Sequence, residues 1–99
     1  MPAAARIGDR INTGHGCDTT APIAQGSSDV FVNGIGLSYR GAAIVPHLIP
    51  CGKTCCGHGA VINVGSSSVF VNSIPVARVG DSADMGAVAQ GSPNVFAGG

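Results

Sequence analysis

Gly26-Ser27-Ser28-Asp29-Val30-Phe31-Val32-Asn33-Gly34 returns twice, as Gly65-Ser66-Ser67-Ser68-Val69-Phe70-Val71-Asn72-Ser73 and as Gly91-Ser92-Pro93-Asn94-Val95-Phe96-Ala97-Gly98-Gly99. A unit this short cannot bury its own apolar face, so its copies must pack on one another. Three copies predict a body with rough threefold symmetry, a shape suited to sitting on a trimer. Within the unit, Val30-Phe31-Val32 alternates about a strand axis, which sets Phe31 opposite its valine neighbours. Asn33-Gly34 favours a tight hairpin turn because both residues tolerate positive φ, and Asn72-Ser73 is a weaker form of the same signal.

The similarity extends outward from the phrase. Ile23-Ala24-Gln25, Ile62-Asn63-Val64 and Val88-Ala89-Gln90 precede the three copies. The second copy is followed by Ile74-Pro75-Val76-Ala77-Arg78-Val79-Gly80-Asp81, and the same ending, Ala5-Arg6-Ile7-Gly8-Asp9, opens the chain. After the first copy the ending is degraded to Leu37-Ser38-Tyr39-Arg40-Gly41-Ala42, and the longest gap, Arg40 to Val64, follows it. Each unit reads as strand, two-residue turn, strand, Gly-Asp turn, then a variable loop. The expectation is an all-β single domain over residues 1–99, built of short hairpins, with one face less regular than the others. The copies are offset by 39 and then 26 residues, which is too uneven for a regular trefoil or barrel.

Composition agrees with short strands and turns. Sixteen glycines and six prolines punctuate the 99 residues, and no window carries helical apolar spacing. Five acids balance five bases, so there is no basic face for nucleic acid. Aromatics are scarce, and a thin core in a chain of this size calls for help from a metal, disulfides or a partner. Met1 to Arg10 has no apolar run of the signal-peptide kind, and nothing approaches a membrane span. Synthesis in the cytoplasm is the expectation.

His15, His47 and His58 all lie in the segments between repeats, each in a gap that follows a Gly-Asp-like turn. If the repeats stack about one axis, their gaps converge at one end, and three imidazoles meet there. Cysteines 17, 51, 55 and 56 lie in the same gaps, and Cys/His sets supply the four ligands of tetrahedral zinc. A disulfide such as Cys17 with Cys51 is the competing reading of the thiols, and cytoplasmic synthesis argues against it. Catalysis finds little support. Glu is absent, and no Ser-His-acid order, phosphate-cradling loop or HExxH motif appears. The recurrent Gly-Asp at Asp9 and Asp81 reads as a turn device, with Arg6 and Arg78 as partners for such carboxylates.

Gly-Ser-x-x-Val-Phe-Val-Asn-Gly, followed by Pro-x-Ala-Arg-x-Gly-Asp, with histidine-bearing loops between, resembles the PAAR-repeat family over essentially the whole chain. The naming motif stands as Pro75-Val76-Ala77-Arg78 and, stretched, as Pro2-Ala3-Ala4-Ala5-Arg6. The resemblance implies a small conical fold with pseudo-threefold symmetry and a metal-pinned vertex. It implies a structural, membrane-piercing spike tip, not an enzyme. One such tip caps the trimeric β-helix spike of a contractile injection machine, in a type VI secretion system or a contractile phage tail, by adding strands to exposed edges. The repeats fill the chain, so any effector or cargo would bind non-covalently.

The resemblance further implies a vertex metal, usually zinc, held by three histidines and a cysteine. His15, His47 and His58 match the histidines. Met85 stands where the family's cysteine is expected, and a thioether is a poor zinc ligand. Cys56 is the favoured fourth ligand, because in an extended segment it points the same way as His58. Cys55, Cys51, Cys17, water, or Met85 on iron are the other options. Two readings compete with the spike tip: a small zinc-dependent hydrolase, and a disulfide-stapled binding module without metal.

Overall fold

Two antiparallel pairs form directly from the repeated phrase. The computed structural model describes residues 1–98, so Gly99, the last residue of the third phrase, lies outside the described residues. Its strands in chain order are β1 (Arg10–Asn12), β2 (Thr20–Pro22), β3 (Phe31–Val32), β4 (Ile35–Gly36), β5 (Ala43–Cys51), β6 (Thr54–Val61), β7 (Phe70–Val71), β8 (Ile74–Pro75), β9 (Ser82–Ala83) and β10 (Gly86–Val88). No helix occurs among the described residues. Asn33-Gly34 turns β3 onto β4, and Asn72-Ser73 turns β7 onto β8, with positive φ at all four turn residues.

Among the described residues the partner of the third phrase comes from the start of the chain. Ala4 N donates to Val95 O at 2.9 Å, just as Leu37 N donates to Val30 O and Val76 N to Val69 O, each at 3.0 Å. The chain therefore closes on itself as a ring of three phrase units. At the centre of that ring three equivalent residues bond in a cycle. Ala5 N donates to Ala77 O, Ala77 N to Ser38 O, and Ser38 N to Ala5 O, at 2.9, 3.1 and 2.9 Å. All three are fully buried, and they mark the pseudo-threefold axis.

The serine of each phrase stitches neighbouring units. Ser27, Ser66 and Ser92 are buried, and each hydroxyl accepts from the valine N–H three residues on, at 2.9–3.0 Å. The hydroxyls reach the next copy: Ser27 lies 3.1 Å from Asn72 Oδ1, Ser92 donates to Asn33 Oδ1 at 2.6 Å, and Ser66 donates to Gly98 O. The opening glycine is fixed by contact. A Cβ at Gly26 would stand 2.7 Å from Gly36 O, and one at Gly91 would stand 2.8 Å from Ala4 O.

The Gly-Asp turns carry paired ions. Arg6 holds Asp9 through Nε at 2.9 Å and NH2 at 2.9 Å, and Arg78 holds Asp81 at 3.1 and 2.9 Å. Each carboxylate also accepts its arginine's backbone N–H at 2.8 Å. At the degraded third ending both partners are replaced together, by Tyr39 and Ala42. The turn survives: Ala42 N still donates to Tyr39 O, and Gly41 keeps the left-handed φ of +87° found at Gly8. Tyr39 packs against both apolar clusters, so the lost ion pair is replaced by packing.

From the three turns rise three hairpins of unequal length: β1–β2, β5–β6 and β9–β10. They close sideways into a second ring. β1 pairs with β10, Ile23 just after β2 bridges Ile44 in β5, and Ile62 just after β6 bridges Ala83 in β9. Ile11, Ile23, Ile44, Ile62 and Val88 fill this layer, and Val32, Leu37, Val71 and Val76 fill the phrase layer. Extents of 42 × 23 × 23 Å describe an elongated body.

Candidate metal centre

The chain places its three histidines by two local devices, a tied loop and a shifted hairpin register. His15 sits in the 13–19 loop between β1 and β2. That loop is tied by Thr13, whose hydroxyl donates to Asp18 O at 2.7 Å and accepts His15 N–H at 3.1 Å. His47 and His58 lie directly opposite each other on β5 and β6. Continuing the register of Ile44 with Ala60 would set His47 against Gly57. A bulge between Ile44 and His47, at Val45-Pro46, shifts the pairing by one residue and sets the two imidazoles edge to face, with ring centroids 5.2 Å apart. Proline suits that break because it has no N–H for the ladder.

The fourth group comes from the shortest hairpin. Asp84 occupies the turn between β9 and β10 at φ +54°, a left-handed position that aspartate tolerates. Its carboxylate points inward: Oδ1 lies 2.9 Å from His15 Nε2 and 3.1 Å from His58 Nε2, and Oδ2 lies 2.7 Å from His47 Nε2. The Asp84 and His47 side chains are only 4 % and 3 % exposed, whereas His58 is 31 % exposed. Burial pushes the Asp84 carboxyl upward, but the hydrogen bonds from His15, His47 and His58 together outweigh it and hold it below the usual carboxylate range.

The nitrogens and the carboxylate oxygen lie within 4.8 Å of one another, and the cluster can hold a metal ion. The chemistry of the donors fits one. His47 Nδ1 lies 3.0 Å from the Val45 carbonyl oxygen, which only accepts, so Nδ1 carries the hydrogen. In a neutral His47 the Nε2 lone pair then faces a carboxylate oxygen at 2.7 Å. Two acceptors at that distance require a cation between them or a second proton on the ring. Fixing one ring nitrogen through a backbone carbonyl is also how metal-binding histidines are oriented. Three imidazoles and one carboxylate satisfy tetrahedral zinc.

Of the residues expected as ligands, His15, His47 and His58 come together and Cys56 does not. Cys56 is bonded to Cys51, and Cys17 is bonded to Cys55, so all four cysteines of the chain are paired. Cys56 does share a strand face with His58, but it lies farther along the hairpin, where Cys51 is its neighbour. The partner suggested for Cys17 was Cys51; the structure gives it Cys55 instead. Met85 is 74 % exposed. The residue before it, Asp84, is the one that enters the cluster.

The family model for the PAAR motif matches residues 13–88 and again 52–99. The chain belongs to the PAAR-motif family. Membership makes it a structural spike tip of a contractile injection machine and not an enzyme. No curated protein matches the chain. Phe31, Phe70 and Phe96 are 58, 55 and 49 % exposed, and Val30, Val69 and Val95 are each 38 % exposed. The repeats thus present the same apolar pair to solvent in triplicate. The sequence signal for Asp84 was its place in a turn between Ala83 and Gly86; lining up the loop on Met85 hid it by one position.

Proposed function

We propose that this protein is a zinc-pinned spike tip. Three copies of the repeated phrase form its seat on a trimeric β-helical spike, and the hairpin layer forms the point that enters the target membrane. The observation that carries the reading is the threefold presentation of Phe31, Phe70 and Phe96 around the Ala5–Ser38–Ala77 axis. A single chain can meet three identical spike subunits only if it offers each the same surface. Burying three half-exposed phenylalanines contributes several kcal/mol, at about 1.5–3 kcal/mol for a fully buried side chain. Strands at the phrase edges continue those of the spike by β-augmentation.

His15, His47, His58 and Asp84 are proposed as the zinc ligands. They come from all three hairpins, so one ion ties together three elements that the small core holds only weakly. A structural zinc site supplies on the order of 10 kcal/mol at neutral pH. Zinc is favoured over iron because three imidazoles and a carboxylate make a closed tetrahedral set with no thioether.

Mixing the purified protein with a trimeric β-helical spike protein and sizing the product tests the seat. One tip per trimer supports the reading. A complex with one tip on each spike subunit, or no complex, would sink it.

A further inference from the structure

The hairpin β5–β6 does not end at the histidines. Beyond the His47–His58 pair it continues through Leu48–Gly57, Ile49–Cys56, Pro50–Cys55 and Cys51–Thr54 before turning at Gly52-Lys53. A lone two-stranded extension of this kind is marginal in water. Both disulfides of the protein sit on it. Cys51–Cys56 joins the strand that carries His47 to the strand that carries His58. Cys17–Cys55 joins the loop that carries His15, two residues before Cys17, to the strand that carries His58. The pairs meet at the neighbours Cys55 and Cys56, so one covalent circuit links all three histidine-bearing segments. Non-covalent support for the same junction is slight: Leu48 N donates to Asp18 Oδ2 at 2.8 Å, and Asp18 N to Leu48 O at 3.1 Å. Cys17, Cys51 and Cys55 are exposed, so thiol reagents can reach both bonds.

We infer that the two disulfides form a redox-operated clasp on the vertex cluster: with the four thiols reduced, the histidine segments separate and metal exchanges freely, and with the disulfides closed the ion is trapped. This rests on the proposed metal centre. The chain gains its metal while reduced and is locked on meeting an oxidising compartment. Closure of each pair is thiol–disulfide exchange with a disulfide oxidant, such as glutathione disulfide or an oxidised dithiol protein. One cysteine thiolate attacks the oxidant's sulfur to give a mixed disulfide and expels a thiolate. The second cysteine thiolate then attacks the mixed disulfide at the first cysteine's sulfur and expels the other. Two electrons pass to the oxidant, which leaves as two thiols holding the two protons that the cysteines gave up. The metal is not oxidised or reduced.

Four forms of zinc-loaded protein decide the matter: the disulfide form, the reduced wild-type form, and the two double variants Cys17→Ser/Cys55→Ser and Cys51→Ser/Cys56→Ser without reductant. Zinc transfer to a chromogenic chelator is followed in time, with thiol counts confirming the redox state and circular dichroism confirming the fold. Release from the reduced form and from Cys17→Ser/Cys55→Ser is expected to be at least tenfold faster than from the disulfide form. Equal release rates in all forms overturn the clasp and leave the metal centre standing. Zinc binding by no form contradicts the metal centre and the clasp together. If a double variant fails to fold, the comparison of reduced with oxidised wild type still decides.

Discussion

His47 and Asp84 face each other at 2.7 Å, while the other ring nitrogen of His47 is spent on the Val45 carbonyl at 3.0 Å. A neutral imidazole in this arrangement turns a lone pair toward a carboxylate. The contact therefore stands as a demand for positive charge, met by a metal or by a second ring proton. His15 and His58 crowd the same carboxylate, with ring centroids 5.1–6.2 Å apart across the three histidines.

Removing that charge should loosen the whole vertex. Exhaustive chelation is expected to lower the melting temperature by well over 10 °C, because loss of about 10 kcal/mol is large beside the stability of a small domain. Asp84→Asn keeps the shape but deletes the anion, and it should weaken zinc binding by 10-fold or more. Met85→Ala changes an exposed side chain and should leave both unchanged. Calorimetry with and without metal reads these outcomes.

The phrase layer should separate binding from folding. Phe31, Phe70 and Phe96 are about half exposed in the free protein. Exchanging all three for serine is expected to shift stability by no more than about 0.5 kcal/mol per site. Binding to a trimeric spike should fall at least a thousandfold, and single exchanges should fall in graded steps. Melting curves beside a binding titration distinguish this from simple unfolding.

The two Arg–Asp turns should be unequal to the third. Asp81→Ala leaves a largely buried Arg78 guanidinium and an Arg78 N–H without their carboxylate, and is expected to cost about 1–3 kcal/mol. The double change Arg78→Tyr with Asp81→Ala copies the Tyr39/Ala42 solution and should recover part of that loss. Urea denaturation of the single and double variants measures the recovery.

The disulfide that closes the longer loop should contribute more, with a logarithmic dependence on loop length. Cys17 and Cys55 are 38 residues apart and Cys51 and Cys56 only 5. In the chain-entropy picture the first is worth roughly 4 kcal/mol and the second about 2 kcal/mol. Cys17→Ser/Cys55→Ser should therefore melt below Cys51→Ser/Cys56→Ser in the metal-free state.

Much of this architecture is written locally. Three phrases with a shared strand and turn fix the base, and the match of Ala5 to Asp9 with Ala77 to Asp81 was visible in the sequence, whereas the pairing of the N-terminal segment with the third phrase emerged only in the fold. His15, His47 and His58 were legible as convergent because they occupy equivalent gaps and nothing else. Asp84 was not, because a turn residue and its neighbour swap roles with one change of φ. The bulge at Val45-Pro46 has no signal beyond the proline, yet it alone sets His47 against His58. The cysteine pairing depends on how far β5 and β6 extend past the histidines, a length that Gly52 alone does not specify. Where sequence symmetry holds, the reading is secure; where one unit departs from the others, tertiary contacts decide.

Native mass spectrometry of the tip bound to a trimeric β-helical spike tests the central claim most directly. The account predicts a single species of three spike chains, one tip chain with both disulfides closed, and one zinc ion. A complex with three tip chains, or one tip chain without metal that is as stable to heating as the loaded form, would contradict it.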